Sequence, residues 1–148
     1  MFRFRRRETI FTEPAWMTWP APGNILREDR YQPALRSLVG PIDPNGHRVF
    51  VKVLLSREPT NTFDPNAIRA TINSAMVGYI GRDLAAIAAP ILDGGGFSSI
   101  EVFGLIRGGW DTETNLGCHL WMNRQVGRGP TFPSDDLGVP APWPPNEE

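Results

Sequence analysis

The chain has 148 residues, of which 41% are apolar and 21% charged, enough for one domain of ordinary size and too little for two independent cores. A formal net charge of −1 excludes a uniformly basic nucleic-acid binder, so any attraction for phosphate must be local. The single cysteine, Cys118, excludes an internal disulfide and a Cys-rich zinc site and points to a cytoplasmic protein. No run approaches the roughly 18 consecutive apolar residues that a membrane helix needs.

Residues 1–23 read as an N-terminal tail. Four arginines occupy the first seven positions, and Pro14, Pro20 and Pro22 then alternate with Trp16 and Trp19. These prolines suit neither a helix interior nor a central strand. Glu8, Glu13, Pro14 and Pro20 interrupt the apolar run that a signal peptide would require. The basic start is expected to be a solvated arm, with contact to phosphate as the alternative.

A single domain is expected over residues 24–125. Gln32 to Val39 has Ala34, Leu35 and Leu38 on one side and predicts a short helix. Pro44-Asn45-Gly46 marks a turn before His47, which is expected to face solvent. Val49, Val51, Val53 and Leu55 then alternate with Phe50, Lys52 and Leu54, giving a strand, and Ile68, Ala70 and Ile72 give another. A further strand leads through Val77 to Tyr79. At Leu84, Ile87, Ala88 and Ile91 the period changes to that of a helix, with Gly94-Gly95-Gly96 just beyond it. Pro90 is expected to kink this helix or end its hydrogen bonding early.

Ile100, Val102 and Ile106 alternate with Glu101, Phe103 and Arg107, and Leu116, Cys118, Leu120 and Met122 alternate with Gly117, His119 and Trp121, so two more strands follow. Trp121 is expected in the core, whereas Trp110, after Gly108-Gly109, suits either a core or a stacking role. Residues 126–148 carry six prolines and four acidic residues and read as an acidic, proline-rich tail. Short strands with a turn about every ten residues and one inserted helix predict a mainly β fold, a small antiparallel barrel with one or two short helices.

Two stretches carry the chemistry. Arg57 to Ile68 is a polar loop between strands, in which Asp64 before Pro65 is set to open a type I turn. Contact with a ligand is the other role open to Asp64. Met76 to Ala85 runs from a strand into the helix, with Gly78 and Gly81 permitting close backbone approach. Its amides are placed either to receive an anion or to make an ordinary strand-to-helix turn.

Taken together, Arg57-Glu58-Pro59-Thr60-Asn61-Thr62-Phe63-Asp64-Pro65-Asn66-Ala67-Ile68 and the later Val77-Gly78-Tyr79-Ile80 with its helix resemble the HIRAN domain family. Arg30-Tyr31-Gln32 resembles the family's first-strand element, and Val102-Phe103-Gly104 and Cys118-His119-Leu120-Trp121 are similar to its closing strands. The resemblance implies an OB-like barrel, of a kind often fused to Swi/Snf-type DNA translocases, that captures the 3′ end of single-stranded DNA. It implies that Asp64 accepts a hydrogen bond from the terminal 3′-hydroxyl, that Phe63 and Tyr31 stack on or flank the last bases, that Arg30 meets a phosphate, and that Tyr79 lines the same groove. Phe63 stands where the family usually has Tyr, and Thr62 where it usually has Pro. The stretch from Ile25 to Tyr31 lacks the glycine common after the first strand, and Glu28 and Asp29 offset the field of Arg30.

The expected function is therefore a nucleic-acid-binding module for single-stranded DNA ends in DNA repair or replication-fork processing, serving a DNA translocase or nuclease in trans. The alternative is a protein-interaction or structural module with the same barrel and no DNA groove. No catalytic residue, metal or cofactor is expected. Cys118 and His119 are adjacent on a strand and point to opposite faces, so they cannot act as nucleophile and base. A magnesium site at Glu58, Asp64 and Asp83 is disfavoured because carboxylates beside turns usually cap backbone amides.

Overall fold

Apolar alternation along the chain becomes a mainly β, antiparallel architecture. The computed structural model describes residues 10–11, 23–25, 29–110 and 115–133. The arginine-rich start, Trp16, Trp19 and the acidic residues of the C-terminal stretch lie outside them. In chain order the elements are β1 (Ile10–Phe11), β2 (Gly23–Asn24), a 3-10 turn (Asp29–Tyr31), α1 (Gln32–Val39), β3 (His47–Arg57), β4 (Ile68–Ile72), β5 (Ala75–Tyr79), α2 (Arg82–Gly94), β6 (Ser99–Gly108) and β7 (Gly117–Gln125). No helix among the described residues is long and apolar enough to cross a membrane.

The strands follow the order β2-β7-β6-β3-β4-β5, all antiparallel neighbours. β3 is the spine. It pairs along its whole length with β6, from His47↔Gly108 to Ser56↔Ser99, while on its other edge its first half meets β1 and its second half meets β4. Among the described residues the two ends of the path meet through an isolated antiparallel bridge between Ile25 and Ile80, where the Ile25 amide also donates to the Cys118 carbonyl at 2.9 Å. The sheet is thus barrel-like and does not close. Between β4 and β5, Asn73 and Ser74 both take positive φ (51° and 70°), the backbone of a type I′ hairpin turn, whose twist matches that of the flanking strands.

Val51, Val53 and Leu55 of β3 are buried with Ile68, Ala70 and Ile72 of β4 and with Val102, Ile106, Cys118, Leu120 and Met122 of β6 and β7 in one core. Gly104 of β6 lies so close to β7 that a Cβ there would stand 3.0 Å from the His119 carbonyl oxygen. Phe50, Leu105 and Trp121 occupy the opposite face of the same strands and form a second cluster, with Phe103 stacked on Phe50 at 5.2 Å. Trp121 is buried, as expected, whereas Trp110 is half exposed.

Helix α1 occupies the expected residues, with Leu35 and Leu38 buried. Helix α2 buries Leu84, Ala85, Ala88, Ala89 and Leu92, and it continues through Pro90 to Gly94. Pro90 does not end the helix early; it and Ala86 lie on the exposed side, where the carbonyl that proline cannot serve is open to water. The core also extends past residue 125. Phe132 is fully buried, and its backbone N–H and C=O both pair with the side chain of Asn123, at 2.8 and 2.7 Å.

The loop from Glu58 to Ala67 is held at its base by Arg57, whose side chain is only 5% exposed. Its guanidinium makes four hydrogen bonds: to both carboxylate oxygens of Asp93 at 2.8 and 3.0 Å, to the Ala67 carbonyl at 2.9 Å and to the Pro65 carbonyl at 3.0 Å. The bidentate bond from Arg57 holds the Asp93 carboxyl below its ordinary value. One side chain thereby joins β3, the end of α2 and both sides of the loop.

Phe132→Ala is expected to cost about 3–5 kcal/mol in urea unfolding, as for other fully buried aromatic truncations. Asp93→Asn is expected to destabilise the protein modestly at neutral pH, since Asp93 is half exposed and screened by solvent. Because the folded carboxyl titrates below its ordinary value of 3.8, that contribution is complete above this pH and disappears as the pH falls through the folded value. Unfolding curves of wild type and variant should therefore converge as the pH drops below about 4.

Candidate functional site

Two linked turns shape the loop. The Asn61 amide donates to the Glu58 carbonyl at 3.0 Å around Pro59, and the Ala67 amide donates to the Asp64 carbonyl at 3.0 Å around Pro65. Proline presets φ at the second position of each turn. Asp64 caps its own turn through Oδ1, which accepts from the Asn66 amide at 2.9 Å. Asn61 supports the tip, its Oδ1 accepting from the amides of Phe63 (2.9 Å) and Asp64 (3.1 Å). Held in this way, Phe63 projects with 88% of its surface exposed.

Beneath the tip lies an open pocket of about 640 Å³, lined among others by Arg30, Asn61, Phe63, Asp64, Tyr79 and Arg82. Arg82, the first residue of α2, has a 75% exposed side chain. It reaches back to the loop, with NH2 on the Phe63 carbonyl at 3.3 Å and Nε 3.7 Å from Asp64 Oδ2. Tyr79 forms another wall and donates its hydroxyl to Glu58 Oε1 at 3.0 Å. Burial, and then this bond to a carboxylate, push the Tyr79 phenol above its ordinary range, so it remains a donor at neutral pH.

Of the five residues singled out in the sequence, Arg30, Phe63, Asp64 and Tyr79 meet at this pocket. Tyr31 is not part of its lining; it stands next to it, with the Arg30 guanidinium over its ring at 4.9 Å, a cation–π distance. Arg82, Asn61 and Glu58 are the participants that sequence reasoning did not assign to the site. The spacing of Arg82 from the loop gave no signal, whereas Asn61, three residues before Asp64 in a proline-containing loop, carried the signature of a side chain that caps a turn.

The remaining chemical candidates are placed elsewhere. Cys118 is wholly buried and its thiol is pushed up to about 12 by desolvation, far from the range of a reactive cysteine. His47, expected to face solvent, is half buried, with Nε2 2.7 Å from the Pro41 carbonyl. Among the described residues no cluster of His, Cys, Asp or Glu could hold a metal ion.

No curated protein and no solved structure matches the chain. The HIRAN domain family model matches residues 34–123, which include the loop, Phe63, Asp64, Tyr79 and Arg82 and begin just after Arg30 and Tyr31. With more than half of its length matched and a mainly β, barrel-like sheet of the OB-like kind the family possesses, the chain belongs to the HIRAN domain family.

Proposed function

We propose that this HIRAN module binds single-stranded DNA and reads its 3′-hydroxyl end, in DNA repair or replication-fork processing, on behalf of a translocase or nuclease acting in trans. The observation that carries this reading is the meeting, at one open pocket, of an exposed aromatic ring, a carboxylate and two arginines. Each answers a different part of a strand terminus. Phe63 offers a face to a base, a contact that tolerates any sequence. Arg30 and Arg82 supply local positive charge for phosphates where the chain as a whole supplies none. Asp64 spends Oδ1 on its turn, and among the described residues Oδ2 has the long contact to Arg82. A hydroxyl donor could take that place, releasing Arg82 toward phosphate. A carboxylate accepts from a hydroxyl and repels a phosphate, so it distinguishes a free end from a continuing strand.

The engagement of both Asp64 oxygens within the protein is the observation that favours the other reading, a protein-interaction module on the same scaffold. Fluorescence anisotropy with a short labelled oligonucleotide, ending in a 3′-hydroxyl or a 3′-phosphate at one low salt concentration, separates the two. A preference for the hydroxyl of about 1.5–3 kcal/mol, roughly tenfold to somewhat over a hundredfold, is expected. Equal binding would leave a general single-strand site, and binding of neither oligonucleotide would support the interaction module.

Phe63→Ala is expected to weaken binding of either oligonucleotide by about 1–3 kcal/mol with no change in melting temperature, because the ring is exposed. Asp64→Asn keeps an oxygen for the Asn66 amide and should abolish the end preference, while Lys52→Ala, on the body of β3, should change neither. Equal effects of Asp64→Asn and Lys52→Ala would overturn the assignment.

A further inference from the structure

Glu58 lies at the junction of β3 and the loop with its side chain 21% exposed, and its carboxylate organises both walls of the pocket. Oε1 accepts two hydrogen bonds, from the Tyr79 hydroxyl on β5 at 3.0 Å and from the Asn61 side-chain amide nitrogen at 3.1 Å. Oε2 stands 3.4 Å from an Arg69 guanidinium nitrogen. The Asn61 carboxamide is planar, so fixing its nitrogen also fixes its oxygen, and that oxygen holds the amides of Phe63 and Asp64. The geometry points to Glu58 as the positioning residue of this site: a carboxylate that touches no ligand itself but, through Asn61 and Tyr79, sets where the stacking ring and the end-reading carboxylate stand.

Between Pro59 and Asn66 the loop is neither strand nor helix, so beyond its two turn bonds the direction of Phe63 and Asp64 depends on side-chain partners. Glu58 supplies a partly buried acceptor at the loop base, and the Glu58 amide itself donates to the Ala67 carbonyl at 3.1 Å, which keeps the carboxylate in place. A partly buried acceptor that receives two donors on one oxygen fixes them relative to each other. The inference rests on the DNA-end reading only where binding is measured.

The test uses the full chain with Glu58→Ala, Glu58→Asp and Glu58→Gln, followed by backbone amide exchange and by the two-oligonucleotide anisotropy comparison. Glu58→Ala should accelerate exchange at the Phe63 and Asp64 amides by about tenfold, the size of one net hydrogen bond, with β3, β6 and α2 protected as in the wild type. Glu58→Asp keeps the charge but withdraws the oxygen, and should behave likewise; it carries the same expectation if Glu58→Ala does not fold. Glu58→Gln retains a carbonyl acceptor and should restore most of the protection. The preference for a 3′-hydroxyl should fall by about threefold or more in the first two variants and return in the third. Unchanged exchange at Phe63 and Asp64 in Glu58→Ala would overturn the inference. So would a Glu58→Gln protein as loose as Glu58→Ala, which would mean that Glu58 serves only to balance Arg69. If the wild type shows no end preference, the DNA-end reading fails and the exchange rates alone decide the role of Glu58.

Discussion

A guanidinium withdrawn from water must find acceptors within the protein, and the way Arg57 finds them determines how the binding face is built. Its side chain is almost wholly covered, yet it cannot lose its proton at any accessible pH. It therefore takes four hydrogen bonds, to a carboxylate at the end of α2 and to two carbonyls on the far side of the Glu58–Ala67 loop. A lysine would offer a single point of charge there in place of a planar fork, and could not satisfy a carboxylate edge and two carbonyls at once. The loop is thus closed at its base before any of its own turns is considered. Helix α2 contributes at both of its ends, through Asp93 at one and Arg82 at the other.

On this closed base the loop is stiffened largely by short-range means, with Arg82 of α2 and Tyr79 of β5 bracing it from outside. Two prolines preset two turns, and two polar side chains, Asn61 and Asp64, take up the amides left at the tip. The consequence is a surface arrangement that would be costly to maintain on a flexible segment, with a phenylalanine nearly fully in water above a carboxylate and flanked by arginines. Ordering costs that a flexible binder would meet on association are met here during folding. With a net charge of −1, the positive charge beside the pocket is local, at Arg30 and Arg82.

The strands of the core and both helices were legible because their apolar residues repeat with the periods that backbone geometry imposes. The turn at Asp64-Pro65 was legible for a local reason, the fixed φ of proline. What was not legible depended on partners distant in sequence. Arg57 and Asp93 lie 36 residues apart, and nothing in either neighbourhood signals the other. Arg82 reads as an ordinary first residue of a helix until the fold brings it over Asp64. Strands β1 and β2, two residues each, are too short to show any alternation, and Phe132, isolated between Pro130 and Pro133, has no periodic neighbours to mark it as core. Pro90 misled in the opposite sense, because its effect on a helix depends on which side faces water.

The seam between Ile25 and Ile80 acquires a different meaning once the pocket is placed on the sheet. Ile80 belongs to the lining, so the cavity lies beside the joint where the two ends of the open sheet meet through an isolated bridge. Arg30 follows the strand on one side of that joint, while Tyr79 and Arg82 flank it on the other. Any guest that touches both sides acts as a keystone: it completes an arch whose stones are already cut. Binding free energy of such a guest would add to the hold between the two ends of the sheet.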